Sequence, residues 1–250
     1  MTVAAATATP VRGQTQSWAS AVSGDWVDAA KWASGDAPDS AIESARFDRS
    51  GDYNVILTGG VIPIAGLEVV TGEIDLVTLG ATDSEVAVAG DLIVRDALRL
   101  QRFGFGANAV SAMTVSIQTA ATLRVEDATV NAGSFDVAIG WPSAATEAAF
   151  TDGSTGSLGA VSIGASGPGT GTSTLLLHGG SDVAVAALDV GSTPGAALSQ
   201  LSVDNATLRQ ESGVATVGYE PAPGDSAGAV LTVDSGGVAE FDRLRVRGTG

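Results

Sequence analysis

The chain has 250 residues, of which 33 are glycine, 5% are aromatic and none is cysteine. Its formal net charge of −16, from 28 acidic and 12 basic residues, argues against nucleic acid and anionic membranes as partners because both would be repelled. The absence of cysteine excludes disulfide bonds and thiolate chemistry. No apolar run approaches the roughly 18 residues of a membrane-spanning helix, so no membrane span is expected.

Residues 1–16 are small and polar and are interrupted by Pro10 and Gly13, which predicts a flexible N-terminal lead-in. They lack the charged start and the long apolar stretch of a cleavable secretion signal. We expect an extracellular, cell-surface location, reached by another export route, or else a location in a virion.

Residues 17–52 contain three of the four tryptophans of the chain, Trp18, Trp26 and Trp32, and then Phe47. The first coil of a repetitive protein exposes an apolar cross-section that a cap must cover, and large aromatic side chains suit that role. We therefore predict a Trp-rich N-terminal cap over 17–52. The alternative is an aromatic platform that binds carbohydrate.

From Tyr53 onward, short stretches of alternating apolar and polar residues end in turn formers, which predicts a β-solenoid over 53–250. The clearest unit is TLLLHGGSDVAVAALDVG (174–191), and similar units occupy 123–140, 201–218 and 231–248. The β-branched residues at the closing corner are separated by 24, 27, 27 and 29 residues: Ile139, Ile163, Val190, Val217 and Val246.

Three strands and three turns per coil of about 27 residues predict an all-β fold, a right-handed parallel β-helix. A compact β-sandwich is the alternative, but it gives no reason for the period. The first strand of each coil should place four pairs of side chains inside: Leu123/Val125, Leu175/Leu177, Leu201/Val203 and Leu231/Val233. Polar side chains of the same strands should form an outward column: Glu126, His178, Asp204 and Asp234.

The opening pattern W…GDW-x-D-A-A-x-W-x-x-G-x-x-P…A-x-F…G-x-Y-x-V-x-L runs from Trp18 to Leu57. It resembles the N-terminal region of large repetitive bacterial surface proteins, the autotransporter-like and type I-secreted adhesin-like proteins with β-helix passengers. The resemblance implies a right-handed β-helix in a secreted surface protein. It marks an architecture rather than an activity.

The residues offer little catalytic chemistry. His178 is the only histidine, so zinc sites of the usual types and a Ser-His-Asp triad are not expected. Asp204 and Asp234 have the spacing for acid and base work on a glycoside, but a solvated polar stripe explains them equally well. Asp36 and Asp39 are candidate Ca²⁺ ligands, although turn capping is the commoner role of such aspartates. We expect neither a cofactor nor an enzyme, with a polysaccharide lyase or hydrolase as the alternative.

Four segments of variable length follow the closing corners, at 141–157, 165–173, 192–197 and 219–228. The phasing places them along one edge of the solenoid, and such edges commonly bind partners. We predict that this edge contacts a surface glycan or a protein receptor through six residues: Trp141, Glu147, Asp152, Tyr219, Glu220 and Asp225. The alternative is a set of tolerated insertions.

The sequence therefore favours a non-catalytic structural and attachment module, a rigid β-solenoid rod of a secreted, adhesin-like surface protein. A phage tail fibre or tailspike is the alternative, and that class predicts a homotrimer. The final stretch, RLRVRGTG, contains no helix or aromatic cluster that would cover a last coil. We expect further solenoid or a partner chain at this end, because uncovered strand edges invite pairing.

Overall fold

The computed structural model describes residues 13–103, 107–118, 120–138, 144–164, 171–191, 198–218 and 228–247. Nearly all of the regular structure is strand, as expected for alternating sequences rich in valine and threonine. A single turn of 3₁₀ helix at Ala29–Lys31 is the helical element of this described part. The strands are β1 Gln14–Ser17, β2 Gly24–Asp25, β3 Glu43–Phe47, β4 Asp52–Leu57, β5 Gly60–Ile64, β6 Gly66–Val69, β7 Glu73–Thr78, β8 Ser84–Val94, β9 Ala97–Arg102, β10 Asn108–Ile117, β11 Thr122–Glu126, β12 Thr129–Val137, β13 Ala145–Thr151, β14 Thr155–Ile163, β15 Thr172–His178, β16 Asp182–Val190, β17 Leu198–Asp204, β18 Thr207–Gln210, β19 Ala215–Val217, β20 Ala229–Asp234, β21 Val238–Glu240 and β22 Leu244–Val246.

The chain alternates between two long sheets, and each strand pairs with the equivalent strand one coil away. Sheet 1 has 13 strands in the order β1-β3-β6-β8-β10-β12-β14-β16-β18-β21, with β5, β19 and β22 attached beside this path. Sheet 2 has nine strands in the order β2-β4-β7-β9-β11-β13-β15-β17-β20. The parallel pairing produces a β-solenoid of about 8 coils, each about 25 residues long. The predicted β-solenoid is confirmed, and the β-sandwich alternative is wrong.

Each coil contains three strand segments, but they belong to two hydrogen-bonded sheets. In β12, β14 and β16 two of the segments join into one strand that bends midway, where the register passes over Gly133 and Gly159. A Cβ at Gly159 would overlap the carbonyl oxygen of Gly133, so this close approach of two coils requires glycine. In the later coils the bend interrupts the strand, which separates β18 from β19 and β21 from β22.

The inward side chains stack in columns, as the alternation predicts. One column of sheet 2 contains Leu123, Ala148, Leu175, Leu201 and Leu231, and its neighbour contains Val125, Phe150, Leu177, Val203 and Val233. The members on β11, β13, β15 and β17 are fully buried. Val233 is 46% exposed because it lies on β20, the last strand of sheet 2.

The residue predicted to stand at the closing corner is wrong in one coil. Val137, rather than Ile139, pairs with Ile163, and the column continues through Val190, Val217 and Val246. The first spacing is therefore 26 residues, two more than the sequence pattern indicated. Ile139 is also β-branched and precedes a glycine, so the local pattern favoured it, whereas hydrogen bonding between coils selects Val137.

Tight corners connect sheet 2 to sheet 1, and in each of five corners the first residue with a positive φ adopts a left-handed backbone conformation. The φ angles are 49° at Asp127, 55° at Asp152, 66° at Gly179, 47° at Asn205 and 48° at Ser235. Glycine, asparagine and aspartate tolerate this conformation better than bulkier residues. The corner thus explains why small or short polar residues recur at this point of each repeat.

Replacing Leu177 with alanine should lower the free energy of unfolding by about 2–5 kcal/mol, because a fully buried side chain leaves a cavity. Leu176 is the matched control, since it lies on the same strand and faces outward. Leu176→Ala should change the free energy of unfolding by less than about 1 kcal/mol. Urea unfolding followed by circular dichroism measures both values, and equal losses would contradict the inward and outward assignment.

Candidate functional site

The N-terminal aromatic residues form one buried cluster, the aromatic cluster of Trp18, Trp26, Trp32, Phe47 and Tyr53. All five are at most 2% exposed. The ring centroids of Trp18 and Trp32 are 5.0 Å apart, and those of Trp26 and Trp32 are 5.1 Å apart, both pairs in edge-to-face contact. Trp18 also stacks on Tyr53 with a centroid distance of 6.3 Å. These are favourable geometries for aromatic pairs.

Each indole N–H of the cluster donates a hydrogen bond to a backbone carbonyl. Trp18 donates to Val22 at 3.2 Å, Trp26 to Pro38 at 3.0 Å, and Trp32 to the carbonyl of Trp26 at 2.7 Å. Buried and hydrogen-bonded rings present no face to a sugar, so the arrangement favours a cap over a carbohydrate platform.

The cap is continuous with the solenoid. β1 and β3 belong to sheet 1, and β2 belongs to sheet 2. β1 begins at Gln14, three residues before the predicted start of the cap at residue 17. Burial raises the pKa of the Tyr53 phenol, and its hydroxyl has no hydrogen-bond partner among the described residues. The ring therefore serves packing rather than proton transfer.

Trp26→Ala should lower the free energy of unfolding by about 3–5 kcal/mol, because it removes a buried ring and leaves the Pro38 carbonyl without its donor. Val27 is the neighbouring control and is 63% exposed. Val27→Ala should have an effect within about 0.5 kcal/mol. Thermal unfolding of both variants tests the expectation, and a mild effect of Trp26→Ala would argue against a structural cap.

Two residues of the predicted contact edge lie elsewhere on the solenoid. The stretch 141–157 is not a single loop, because Ala145–Thr151 forms β13 and β14 begins at Thr155. Glu147 lies on β13, where it is 3.9 Å from Arg124 in an ion pair. Asp152 occupies the left-handed corner between β13 and β14. Neither residue follows a closing corner of sheet 1.

The other four residues of that edge, Trp141, Tyr219, Glu220 and Asp225, lie outside the described residues. The pairing between coils nevertheless shows that Gly140 and Gly218, which precede Trp141 and Tyr219 in the sequence, are not equivalent corner residues. Ala138, rather than Gly140, corresponds to Gly218, because the amide of each bonds to the carbonyl at the end of the preceding sheet 1 strand. Trp141 therefore follows its corner by three positions and Tyr219 by one.

The outward polar column predicted from the repeats is present. His178 pairs with Asp204 and Asp204 with Asp234, all three at exposed positions, and Glu126 pairs with Thr151 on the preceding strands. The column lines the outer face of sheet 2 at its border with the left-handed corners. His178, Asp204 and Asp234 are open to water, as a solvated stripe requires, whereas Glu126 is half-buried and Thr151 is buried.

The acidic loop around Asp36 and Asp39 forms a hydrogen-bonded turn. The Asp39 amide donates to the Glu43 carboxylate at 3.3 Å, and the Ser40 hydroxyl donates to the same carboxylate at 2.7 Å. The bond from Ser40 lowers the pKa of Glu43. Within the described residues, no group of three or more histidine, aspartate or glutamate side chains converges as a metal site requires.

The sequence interpretation missed a mixed-charge group on the outer face of sheet 2, the Arg99 cluster of Glu73, Asp75, Arg99, Arg124, Glu126 and Glu147. Asp75, Arg99 and Arg124 form one outward column on β7, β9 and β11. Arg99 lies 3.6 Å from Glu73, 3.5 Å from Asp75 and 3.4 Å from Glu126. The recurrence of charged residues at one position, one coil apart, was the signal available in the sequence.

Asp75 is the buried acid of the Arg99 cluster, at 8% exposure. Burial raises its pKa although the neighbouring Arg99 guanidinium opposes the shift. Its Oδ1 atom has no hydrogen-bond partner in the described part of the chain. The carboxylate is therefore desolvated without full compensation.

Asp75→Asn should gain stability relative to the natural chain as the pH rises. A raised pKa means that the folded state holds the proton more tightly than the unfolded chain, so this stabilisation is complete below about pH 3.8 and is lost as the pH rises through the raised pKa. Asparagine does not ionise, so the Asp75→Asn variant does not lose stability in this way as the pH rises. Melting temperatures of both proteins at about pH 3 and about pH 7 test the expectation.

The difference in melting temperature between the two proteins should move in favour of Asp75→Asn at the higher pH. Glu73→Gln controls for the loss of one negative charge from the same cluster. A difference that is the same at both pH values would contradict the role assigned to burial.

Comparisons with protein-family models, with curated proteins and with solved structures found no match to this chain. In the described ranges, no helix has the length and apolar character needed to cross a bilayer. The class that the fold defines is the parallel β-solenoid.

Proposed function

We propose that the chain is a non-catalytic structural and attachment module, a rigid β-solenoid rod of a secreted, adhesin-like cell-surface protein. The observation that carries the proposal is the continuity of the core. One hydrophobic cluster of buried side chains extends from Trp18 to Val217 without a break. Because neighbouring coils share this core and their strands pair in parallel, bending the rod between coils would separate packed side chains.

The last described coil leaves some of its inward positions exposed to solvent. Val233, Leu244 and Val246 belong to inward columns, yet they are 46%, 46% and 72% exposed. Among the described residues, β20, β21 and β22 are the last strands of their ladders.

The composition of the chain and the resemblance of its opening pattern support the proposed location at the cell surface. The opening pattern from Trp18 to Leu57 is similar to those of repetitive bacterial surface proteins, and the chain has no cysteine that could cross-link during export. A net charge of −16 keeps a long exposed surface soluble.

Antibodies against this chain should label intact cells of the organism that encodes it, because a surface rod is accessible from outside. Immunofluorescence with and without permeabilisation makes the measurement, with a cytoplasmic enzyme of the same cells as the control. Labelling that requires permeabilisation would contradict the proposal. Analytical ultracentrifugation adds an independent test, because a homotrimer would favour a virion fibre over a surface rod.

A further inference from the structure

We infer that the outer face of sheet 2 carries a binding site for a neutral glycan, at a groove between β7 and β13 beside Arg99. This site shares Glu147 with the contact edge predicted from the sequence, and it does not depend on the proposed rod function.

Small side chains form the floor of the groove. One outward column of sheet 2 contains Glu73, Ala97, Thr122 and Glu147 in order. The two small residues lie between the two glutamates, and Arg99 and Arg124 lie in the adjacent column. The resulting groove has a volume of about 290 Å³, which is near the lower end of the range for small-molecule pockets. A groove of this size suits one or two sugar units rather than a large ligand.

The hydrogen-bonding capacity of the Arg99 cluster is not used up within the chain. The three ion pairs of Arg99 measure 3.4–3.6 Å, longer than the 2.7–2.9 Å of a strong charge-assisted hydrogen bond. Its Nε atom and Asp75 Oδ1 are buried, so the charged residues open to a ligand are those that line the groove: Glu73, Arg99 and Arg124. Arg209 on sheet 1 differs, since it donates to both oxygens of Asp182 at 2.8 and 2.9 Å.

Unused donors next to unused acceptors fit a polyol, because each sugar hydroxyl donates one hydrogen bond and accepts others. The guanidinium groups of Arg99 and Arg124 supply donors, and the carboxylate of Glu73 supplies acceptors, since all three residues line the groove. The cluster contains four carboxylates and two guanidinium groups, on a chain with a net charge of −16. This excess of negative charge disfavours uronates and other anionic sugars, so the glycan that we propose is a neutral one.

Affinity electrophoresis of the whole chain in gels that contain dextran, galactomannan or glucomannan tests the site, with polygalacturonate as the acidic comparison. At least one neutral polysaccharide should retard the natural chain more than polygalacturonate does. Arg99→Gln removes the central donor and should weaken that binding roughly tenfold or more. Thr122→Trp fills the groove on an outward strand position and should abolish retardation while the fold is retained.

Two variants on β18 of sheet 1 provide matched controls. Arg209→Gln removes an ion-paired arginine, and Thr207→Trp adds the same bulk to an outward threonine; both should bind like the natural chain. Circular dichroism verifies the fold of each variant. The inference is overturned if none of the three neutral polysaccharides causes retardation, if polygalacturonate binds more strongly, or if binding survives both Arg99→Gln and Thr122→Trp. Surface labelling is unaffected by these outcomes, so failure here is distinguishable from failure of the rod proposal.

Discussion

The structure depends on one constraint, the in-register parallel pairing of each strand with the strand one coil away. A backbone group that faces the neighbouring coil must find its partner there, and the pairing fixes which side chains stack. Val137, Ile163, Val190 and Val217 thus form one buried column although their spacing in the sequence varies. Differences in coil length must be absorbed at corners, where pairing is not required.

The first coils bury five aromatic rings in the hydrophobic core, and each indole N–H donates a hydrogen bond to a backbone carbonyl. In the last described coil the columns continue to Val233 and Val246, which are 46% and 72% exposed.

Outward side chains take no part in backbone pairing or in the core, so their chemistry can change from coil to coil while the fold stays the same. On sheet 2 the outward columns change from charged residues at Glu73, Asp75 and Arg99 to neutral ones at Thr174, Leu176 and Ser202 without any change in the register. The scaffold holds neighbouring outward side chains one strand spacing apart, about 4.8 Å. That spacing brings three acids from β7 and β11 around Arg99 and leaves a groove over Ala97 and Thr122.

The sequence alone determined the solenoid, the inward set of the first strand and the exposed column of His178, Asp204 and Asp234, because alternation and period are local properties of the chain. It also indicated the burial of Trp18, Trp26 and Trp32, since packed aromatics interleave with small residues. Only the tertiary structure decided that Val137 and not Ile139 closes its coil, that Glu147 lies on a strand, and that Asp75 and Arg99 share one site. These outcomes depend on hydrogen bonds and contacts between residues 24 or more positions apart, and no local pattern contains that information.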